Sequence, residues 1–137
     1  MDQPFIRDAA LLLLRLILGA VFIAHGLQKF IIHGIDDTAQ QFSSWGIPQP
    51  RLFVWFAGLG EVVGGAMLII GLLTTLAAGV LAVEMIAAIV MVHLPNGVFV
   101  ADGGVEYALV LLISLLMIVV FGSGRASLDE VFSRVEL

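Results

Sequence analysis

Four long apolar stretches alternate with short polar segments along this chain. They cover about residues 9–32, 52–73, 75–94 and 105–121. Each has roughly the number of residues that an α-helix needs to cross a bilayer core of about 30 Å at about 1.5 Å per residue. The pattern therefore predicts an all-α integral membrane protein, a four-helix bundle that forms a single transmembrane domain over residues 1–137.

The segment between the first two stretches predicts a short interfacial helix. Residues 40–45 read Gln-Gln-Phe-Ser-Ser-Trp, with Phe42 and Trp45 placed to dip toward lipid. The prolines that follow end this helix because proline lacks an N–H donor. Residues 71–75 predict a tight turn, which makes the second and third predicted membrane helices antiparallel neighbours.

The third loop and the C-terminal tail carry different patterns of apolar residues. The third loop, residues 95–104, is apolar at its centre, and we expect Val98, Phe99 and Val100 to dip back into the membrane edge. After the fourth stretch, residues 127–130 fit a capping box. They open an amphipathic C-terminal tail, whose apolar side carries Leu128, Val131, Phe132 and Val135.

Composition supports the membrane assignment and excludes several chemistries. The chain is 61% hydrophobic and 12% charged, whereas a soluble domain has about 25% charged residues. It has no cysteine, which excludes thiol–disulfide exchange, thiolate-held iron–sulfur clusters and cysteine-type zinc sites within the chain. No run of basic residues predicts binding to nucleic acid.

The flanks of the apolar stretches predict the orientation. The first residues lack the basic character of a signal peptide, so the first stretch is interpreted as a retained helix. Arg7, Arg125 and Arg134 lie on the side of the termini, and Lys29 and Arg51 lie on the other. The positive-inside rule then places both termini of a multi-pass protein in the cytoplasm.

One face of the first predicted helix carries ionisable side chains. Arg15, Leu18, Phe22, His25 and Lys29 recur at spacings of three and four residues, so they share one face of an α-helix. The opposite face is aliphatic. In lipid, the polar stripe must therefore point into the bundle.

Two glutamates lie near the middle of the next two stretches. Glu61 lies in a glycine-rich segment, in which Gly60 and Gly64 form a GxxxG motif that lets another helix approach closely. Glu84 lies in the third stretch. A charge at the centre of a bilayer costs about 2.5–3.5 kcal/mol on insertion scales, so both carboxyls are candidates for a functional role.

Depth along straight helices predicts which ionisable groups meet. At about 1.5 Å per residue, the depth of Arg15 is close to that of Glu84, and the depth of His25 is close to that of Glu61. The rim on the side of the long loops gathers Lys29, His93, Glu106 and Tyr107. We therefore expect a polar cavity that opens at this rim and is closed below by Arg15.

Other interpretations of the same residues remain open. The glutamates can belong to an ion-pair network that only fixes helix register. His25 and His93 can be axial haem ligands, although their depths differ. Glu61, Glu84 and His25 can hold a metal, although the chain lacks a diagnostic ligand spacing such as HExxH. We expect neither haem nor metal.

Several short motifs follow one another in a recognisable order. They are HGLQKF at 25–30, FSSWGIP at 42–48, AGLGEVVGG at 57–65, GLLT at 71–74, His93 with Asn96-Gly97, GGVEY at 103–107, GSG at 122–124 and SLD at 127–129. No single motif is specific, but the ordered set, which extends over about residues 11–129, resembles the DoxX family of small bacterial four-helix membrane proteins.

The resemblance implies a bacterial inner-membrane protein that acts as a subunit of an oxidoreductase. The family is named after a membrane subunit of a thiosulfate:quinone oxidoreductase, and related members are associated with oxidative, thiol and quinone stress. The resemblance brings no agreed catalytic residues. The positions that match the family pattern are His25, Lys29, Glu61, His93 and Glu106.

We therefore hypothesise a subunit that binds quinone in the polar cavity. In this hypothesis the catalytic residues are His25, Glu61 and Glu84, which hydrogen-bond the quinone carbonyls and relay protons. The apolar flanks that hold the ring and tail are Phe22, Leu81 and Met91. The residues predicted to bind the cofactor are Phe22, Lys29, His93, Glu106 and Tyr107.

The chain offers no dinucleotide fingerprint and no redox-active thiol, so electrons must come from a soluble redox partner. The other expected partner is the lipid bilayer, and assembly into a homo-oligomer is left open. Two alternatives belong to other classes. One is a small-molecule or proton-coupled carrier, which four helices would achieve only by oligomerising, and the other is a scaffold that recruits stress-response enzymes to the membrane.

Overall fold

The computed structural model describes residues 3–124 and 127–135, and every regular element in these ranges is helical. The six α-helices are α1 (Gln3–Leu27), α2 (Gly34–Ser44), α3 (Pro50–Ile70), α4 (Thr74–Ala88), α5 (Glu106–Phe121) and α6 (Leu128–Val135). A π-helical turn, Gln28–Ile32, extends α1. A second π-helical turn, Ile89–His93, and a 3-10 turn, Leu94–Asn96, extend α4, and the 3-10 turn Val100–Asp102 lies in the next loop.

Among the described residues, three helical segments are long and apolar enough to cross a bilayer. They are Pro4–Ile32, Pro50–Ile70 and Thr74–Asn96, with 29, 21 and 23 residues. The fourth predicted span corresponds to α5, which is apolar but has 16 residues. The prediction of an all-helical membrane protein is confirmed, and three of its four predicted spans have the required length.

Close backbone contact between α1 and α3 organises the bundle. A Cβ atom added at Gly65 would lie 2.6 Å from the carbonyl oxygen of Gly19, and one added at Gly26 would lie 2.8 Å from that of Gly58. Two glycines seven residues apart on each helix therefore form two contact points. Because small residues let helix backbones approach each other in lipid, the two helices pack along most of their length.

The predicted GxxxG motif faces a different neighbour. A Cβ atom at Gly64 would lie 3.1 Å from the side chain of Leu81 in α4, and one at Gly60 would lie 3.5 Å from Oε1 of Glu84. Gly60 and Gly64 therefore make room for α4, whereas Gly58 and Gly65 make room for α1. As a result α3 packs against both helices.

An apolar core fills the space between α1, α3, α4 and α5. Its most completely buried members come from all four helices, and they are Phe22, Leu68, Ala78, Leu81, Leu115 and Ile118. The ionisable stripe of α1 points into the bundle as predicted, because Arg15 and Phe22 are each only 1% exposed. Large apolar side chains cover the outward faces of the helices, as expected for a surface that contacts lipid.

Arg15 closes the C-terminal end of α3. Its Nε donates to the carbonyl of Leu68 at 2.9 Å, its Nη2 to that of Ile69 at 3.1 Å and its Nη1 to that of Ser123 at 2.7 Å. The last carbonyls of a helix have no partner within the helix, so a buried guanidinium satisfies them well. The predicted ion pair with Glu84 does not form, because these backbone carbonyls hold the guanidinium at the end of the bundle near the termini.

The C-terminal segment is fastened to the turn between α3 and α4. Asp129 accepts hydrogen bonds from the backbone N–H groups of Leu73 at 2.7 Å and Thr74 at 2.8 Å, at the start of α4. Its own N–H donates to the carbonyl of Gly71 at 2.9 Å. Burial raises the pKa of Asp129, but these N–H donors and the charge of Arg15 outweigh burial and leave the pKa below its usual value.

The interfacial helix of the first loop is longer than predicted and packs inward. It spans Gly34–Ser44 as α2 and lies against α3. The ring of Phe42 is 8% exposed and lies 5.7 Å from the ring of Trp45. The prediction that Phe42 dips toward lipid is therefore wrong, because the helix turns this ring toward the protein.

The predicted tail helix is present, and Ser127 caps its start as one half of the predicted capping box. Oγ of Ser127 accepts a hydrogen bond from the N–H of Glu130 at 3.2 Å, and α6 follows with Leu128, Val131 and Phe132 exposed. The side chain of Val135, which we predicted on the apolar side of the tail, lies outside the described part of the structure. The same is true of Arg125, which contributed to the predicted orientation.

The close contact of α1 and α3 makes a matched pair of variants informative. Gly65→Ala forces a methyl group against the Gly19 backbone, and we expect a loss of about 1–3 kcal/mol of stability. Gly79→Ala places the same methyl group where no atom lies within 4 Å, and we expect a gain of up to about 1 kcal/mol from helix propensity. Thermal unfolding in detergent measures both, and equal effects would contradict the proposed contact.

The Asp129 cap predicts a specific pH dependence. Asp129→Ala should lower stability by about 1 kcal/mol at neutral pH. Because the native pKa of Asp129 is lowered, its contribution is present above the unfolded value of about 3.9 and is lost as the pH falls through the native value. The difference between wild type and variant should therefore shrink in acid. A difference that stays constant down to the lowest pH measured would show that charge plays no part in the cap.

Candidate functional site

A buried ion pair joins α1 to α3 within the membrane-spanning region. Nζ of Lys29 lies 2.9 Å from Oε1 and 2.7 Å from Oε2 of Glu61, so the ammonium contacts both carboxylate oxygens. The side chains are 17% and 6% exposed. Two short contacts from one ammonium offset part of the cost of removing both charges from water.

The directions of side chains explain why Lys29, and not His25, reaches Glu61. Lys29 starts nearer the rim but leans toward the N-terminus of α1, and its four-carbon stem carries the ammonium into the bundle. Glu61 leans toward the N-terminus of α3, which is the rim side. The predicted pair of His25 with Glu61 does not form, and the imidazole Nδ1 instead lies 2.8 Å from the carbonyl oxygen of Val21.

A second carboxyl lies beside this pair. Glu84 of α4 is close enough to Glu61 for a hydrogen bond between the carboxyl groups, and it lies within the field of Lys29. Its Oε2 is buried and has no hydrogen-bond partner among the described residues. Three helices thus bring two acidic groups and one ammonium together, and we call Lys29, Glu61 and Glu84 the acidic cluster.

His25 and Tyr107 form an aromatic pair between α1 and α5. Their ring centroids are 6.0 Å apart and their planes are 28° from parallel. The contact of Nδ1 with the Val21 carbonyl requires the proton on Nδ1, which leaves Nε2 of the neutral ring as an acceptor. Tyr107 is 41% exposed, so this pair borders the outer surface of the bundle.

His93 and Glu106 hold the third loop. Nδ1 of His93 lies 2.9 Å from the carbonyl oxygen of Gly103. Oε1 of Glu106 accepts a hydrogen bond from the N–H of Val100 at 2.8 Å. Both residues were predicted to bind the cofactor, and the structure places them in loop contacts outside the acidic cluster.

The remaining predicted contacts lie in different environments. Phe22 and Leu81 are buried in the apolar core, whereas Met91 is 42% exposed. Two recesses of about 300 and 470 Å³ lie elsewhere, the first lined by Asp8 and Phe121 and the second by Asp36 and Gln40, among others. Neither recess is lined by a residue of the acidic cluster, and the cavity that we expect at the rim stays a prediction.

The hydrogen bonds at the end of the bundle near the termini were not predicted from the sequence. Arg15, Ser123 and Asp129 act there together with the backbone of the turn between α3 and α4. The available signal was the pairing of a Gly-Ser-Gly break with a capping box directly after it, which indicates a segment that returns to the bundle. These contacts are structural and leave the acidic cluster as the candidate site.

Comparisons with known proteins agree with the sequence resemblance. The DoxX family matches residues 10–94. An uncharacterised membrane protein of Mycobacterium tuberculosis is 35% identical over an alignment of 132 positions, and the match covers 88% of this chain and 80% of that protein. A Bacillus subtilis protein named "Putative oxidoreductase CatD" is 36% identical over 129 residues, which cover 94% of this chain and 90% of that protein. No solved structure gives a significant match.

A double-mutant cycle tests the buried pair. Lys29→Met removes the ammonium and strands the Glu61 charge, so we expect a loss of about 3–5 kcal/mol of stability. Adding Glu61→Gln removes the stranded charge and should restore a large part of that loss. Thermal unfolding of the two single variants and the double variant measures the coupling.

The exposed pair of Arg51 and Asp36 is the control for this cycle. Its side chains are 67% and 79% exposed, so Arg51→Met should cost no more than about 1 kcal/mol. If Lys29→Met costs as little as Arg51→Met, the Lys29–Glu61 contact is not a buried ion pair in the native protein.

Proposed function

Because this chain belongs to the DoxX family, we propose that it is a membrane subunit of an oxidoreductase system that binds a quinone and handles its protons at the acidic cluster. Support comes from the relative that is named an oxidoreductase and from the residues of the cluster itself. The membrane is the bacterial inner membrane in this proposal, with both termini in the cytoplasm.

The observation that carries the proposal is the charge count of the acidic cluster. Lys29 offers one positive charge to two carboxyl groups that lie side by side. In a medium of low dielectric, two adjacent carboxylates repel each other strongly. A proton held between Glu61 and Glu84 removes this repulsion. The cluster thereby becomes a place where a proton can be stored and released inside the membrane.

Glu84 is the member of the cluster that is best suited to contact a bound molecule. Both oxygens of Glu61 are occupied by Lys29, whereas Oε2 of Glu84 has no partner among the described residues. Buried polar atoms usually have hydrogen-bond partners, so an unpaired one needs an explanation. When the proton lies on Oε2 and is not shared with Glu61, Glu84 would donate to a quinone carbonyl, and when the proton is shared with Glu61, Oε2 would accept from a quinol O–H.

The chain's own residues would hold and move protons. A bound quinone supplies the electron acceptor, which takes up two electrons and two protons in its full reduction. The electrons come from a soluble redox partner, since the chain has no cysteine. Glu84 would deliver the two protons one after the other, each replaced from water by way of Glu61, and Lys29 would stabilise the carboxylate that remains between the two transfers. His25 and Tyr107 would form the outer border of the site.

Quinone retention tests this proposal. The protein is purified from its own membrane in mild detergent, and an organic extract is analysed by mass spectrometry. We expect quinone near one per chain in the wild type and a loss of about tenfold or more in Glu84→Gln. Glu130→Gln, in a carboxyl of the tail helix that pairs with Arg134, is the control and should retain quinone.

The outcomes separate this function from the alternatives. Quinone that is retained equally in wild type, Glu84→Gln and Glu130→Gln would show that the acidic cluster is not its binding site. A wild type without quinone that moves another small molecule into proteoliposomes would point to a carrier. In either case the acidic cluster would be a structural ion-pair network or a transport site.

A further inference from the structure

The loop between α4 and α5 is apolar and exposed, yet it is extensively hydrogen-bonded. Leu94, Val98, Phe99 and Val100 are between 53% and 66% exposed. The backbone N–H groups of Gly104, Val105 and Glu106 donate to the carbonyls of Phe99, Gly97 and Val98 at 2.8–3.0 Å. A loop with such order presents its apolar side chains in a fixed arrangement, and a fixed apolar surface needs something to cover it.

Side chains add to this order. His93 and Asn96 both contact the carbonyl of Gly103, at 2.9 and 3.5 Å. Glu106 accepts from the N–H of Val100 at 2.8 Å. Gly104 packs so closely on the opposite backbone that a Cβ atom there would lie 2.5 Å from the carbonyl carbon of Val98. The loop is thus fastened directly against the first turn of α5.

The length of α5 indicates why an apolar loop lies at its end. Sixteen residues give a helix of about 24 Å at about 1.5 Å per residue, which is about 6 Å short of a bilayer core of about 30 Å. The loop lies beside the end of α5 where apolar length is missing. Residues 98–100 would supply apolar side chains at that end of α5.

The outward surface of α4 leads into the same loop. Leu76, Val80, Val83, Val90 and Leu94 are each at least 54% exposed, and their spacing places them on one face of the helix. This face belongs to the segment Thr74–Asn96, which is long and apolar enough to cross a membrane. The apolar surface of the loop begins where that stripe ends, so the two form one continuous apolar surface.

We propose that residues 94–100 form a membrane-inserted loop, which contacts lipid acyl chains and completes the apolar thickness that α5 lacks. His93 and Glu106 are positioning residues for this surface. The acyl chains of the bilayer are its occupant, since the loop surface is continuous with the lipid-facing side of α4. The proposal also makes α5 the fourth span, and it does not depend on quinone binding.

Site-directed spin labelling tests the location of the loop, and the absence of cysteine makes single labels simple to introduce. The labelled variant is Phe99→Cys in vesicles of phosphatidylcholine and phosphatidylglycerol. Collisions with oxygen, which concentrates in lipid, should exceed collisions with a water-soluble nickel chelate severalfold. Val90→Cys on the lipid face of α4 and Gln40→Cys on the exposed polar side of α2 provide the membrane and water references.

Two other results at Phe99 would contradict the proposal that the loop is inserted in the membrane. A label that collides mainly with the nickel chelate, as at Gln40, would overturn the proposal and indicate a loop in water that is open to a protein partner. A label accessible to neither reagent would also overturn it, because it would indicate contact with protein. Val98→Cys repeats the test if Phe99→Cys does not fold. Adding Glu106→Ala should raise nickel collisions at Phe99 severalfold, since it releases Val100.

Discussion

The ion pair of Lys29 and Glu61 depends on the close approach of α1 and α3. Gly19 and Gly26 contact the backbone at Gly65 and Gly58, so the two helices are close enough for Lys29 to reach Glu61. In lipid no water compensates an unpaired charge. A larger separation of the helices would leave an ammonium and a carboxylate without partners in the hydrocarbon. The pairing of these two charges therefore depends on the close packing of the helices.

Most of the ionisable residues discussed above bind backbone groups at the two ends of the bundle, whereas the acidic cluster lies between these ends. Arg15 and Asp129 satisfy backbone groups at the ends of α3 and α4, near the termini. His93 and Glu106 do the same for the loop at the opposite end. Glu61 has Lys29 as its partner, whereas Glu84 lies beside this pair with Oε2 buried and without a hydrogen-bond partner among the described residues. This contrast is the reason for placing function at the acidic cluster.

Much of the fold follows from the sequence because the bilayer imposes simple rules. Helix length, the polar stripe of α1 and the tight turn after Ile70 were all predicted from periodicity and turn residues. The pairing of charges was not, because it was derived from Cα depth alone. Lys29 and Arg15 have long side chains that lean toward the N-terminus of their helix, which moves their charges by about one helical turn. The burial of Phe42 depended on the rotation of α2, which the sequence leaves open.

Infrared spectroscopy of the reconstituted protein detects a proton held between Glu61 and Glu84. We expect a carboxylic-acid C=O stretching band in the resting wild type, a shift of this band when added quinone is reduced, and its loss in Glu84→Gln. The band should persist in Glu130→Gln, which leaves the acidic cluster unchanged. A resting protein without such a band, or a band that Glu84→Gln leaves intact, would contradict a proton shared by Glu61 and Glu84. The acidic cluster would then be a structural ion-pair network.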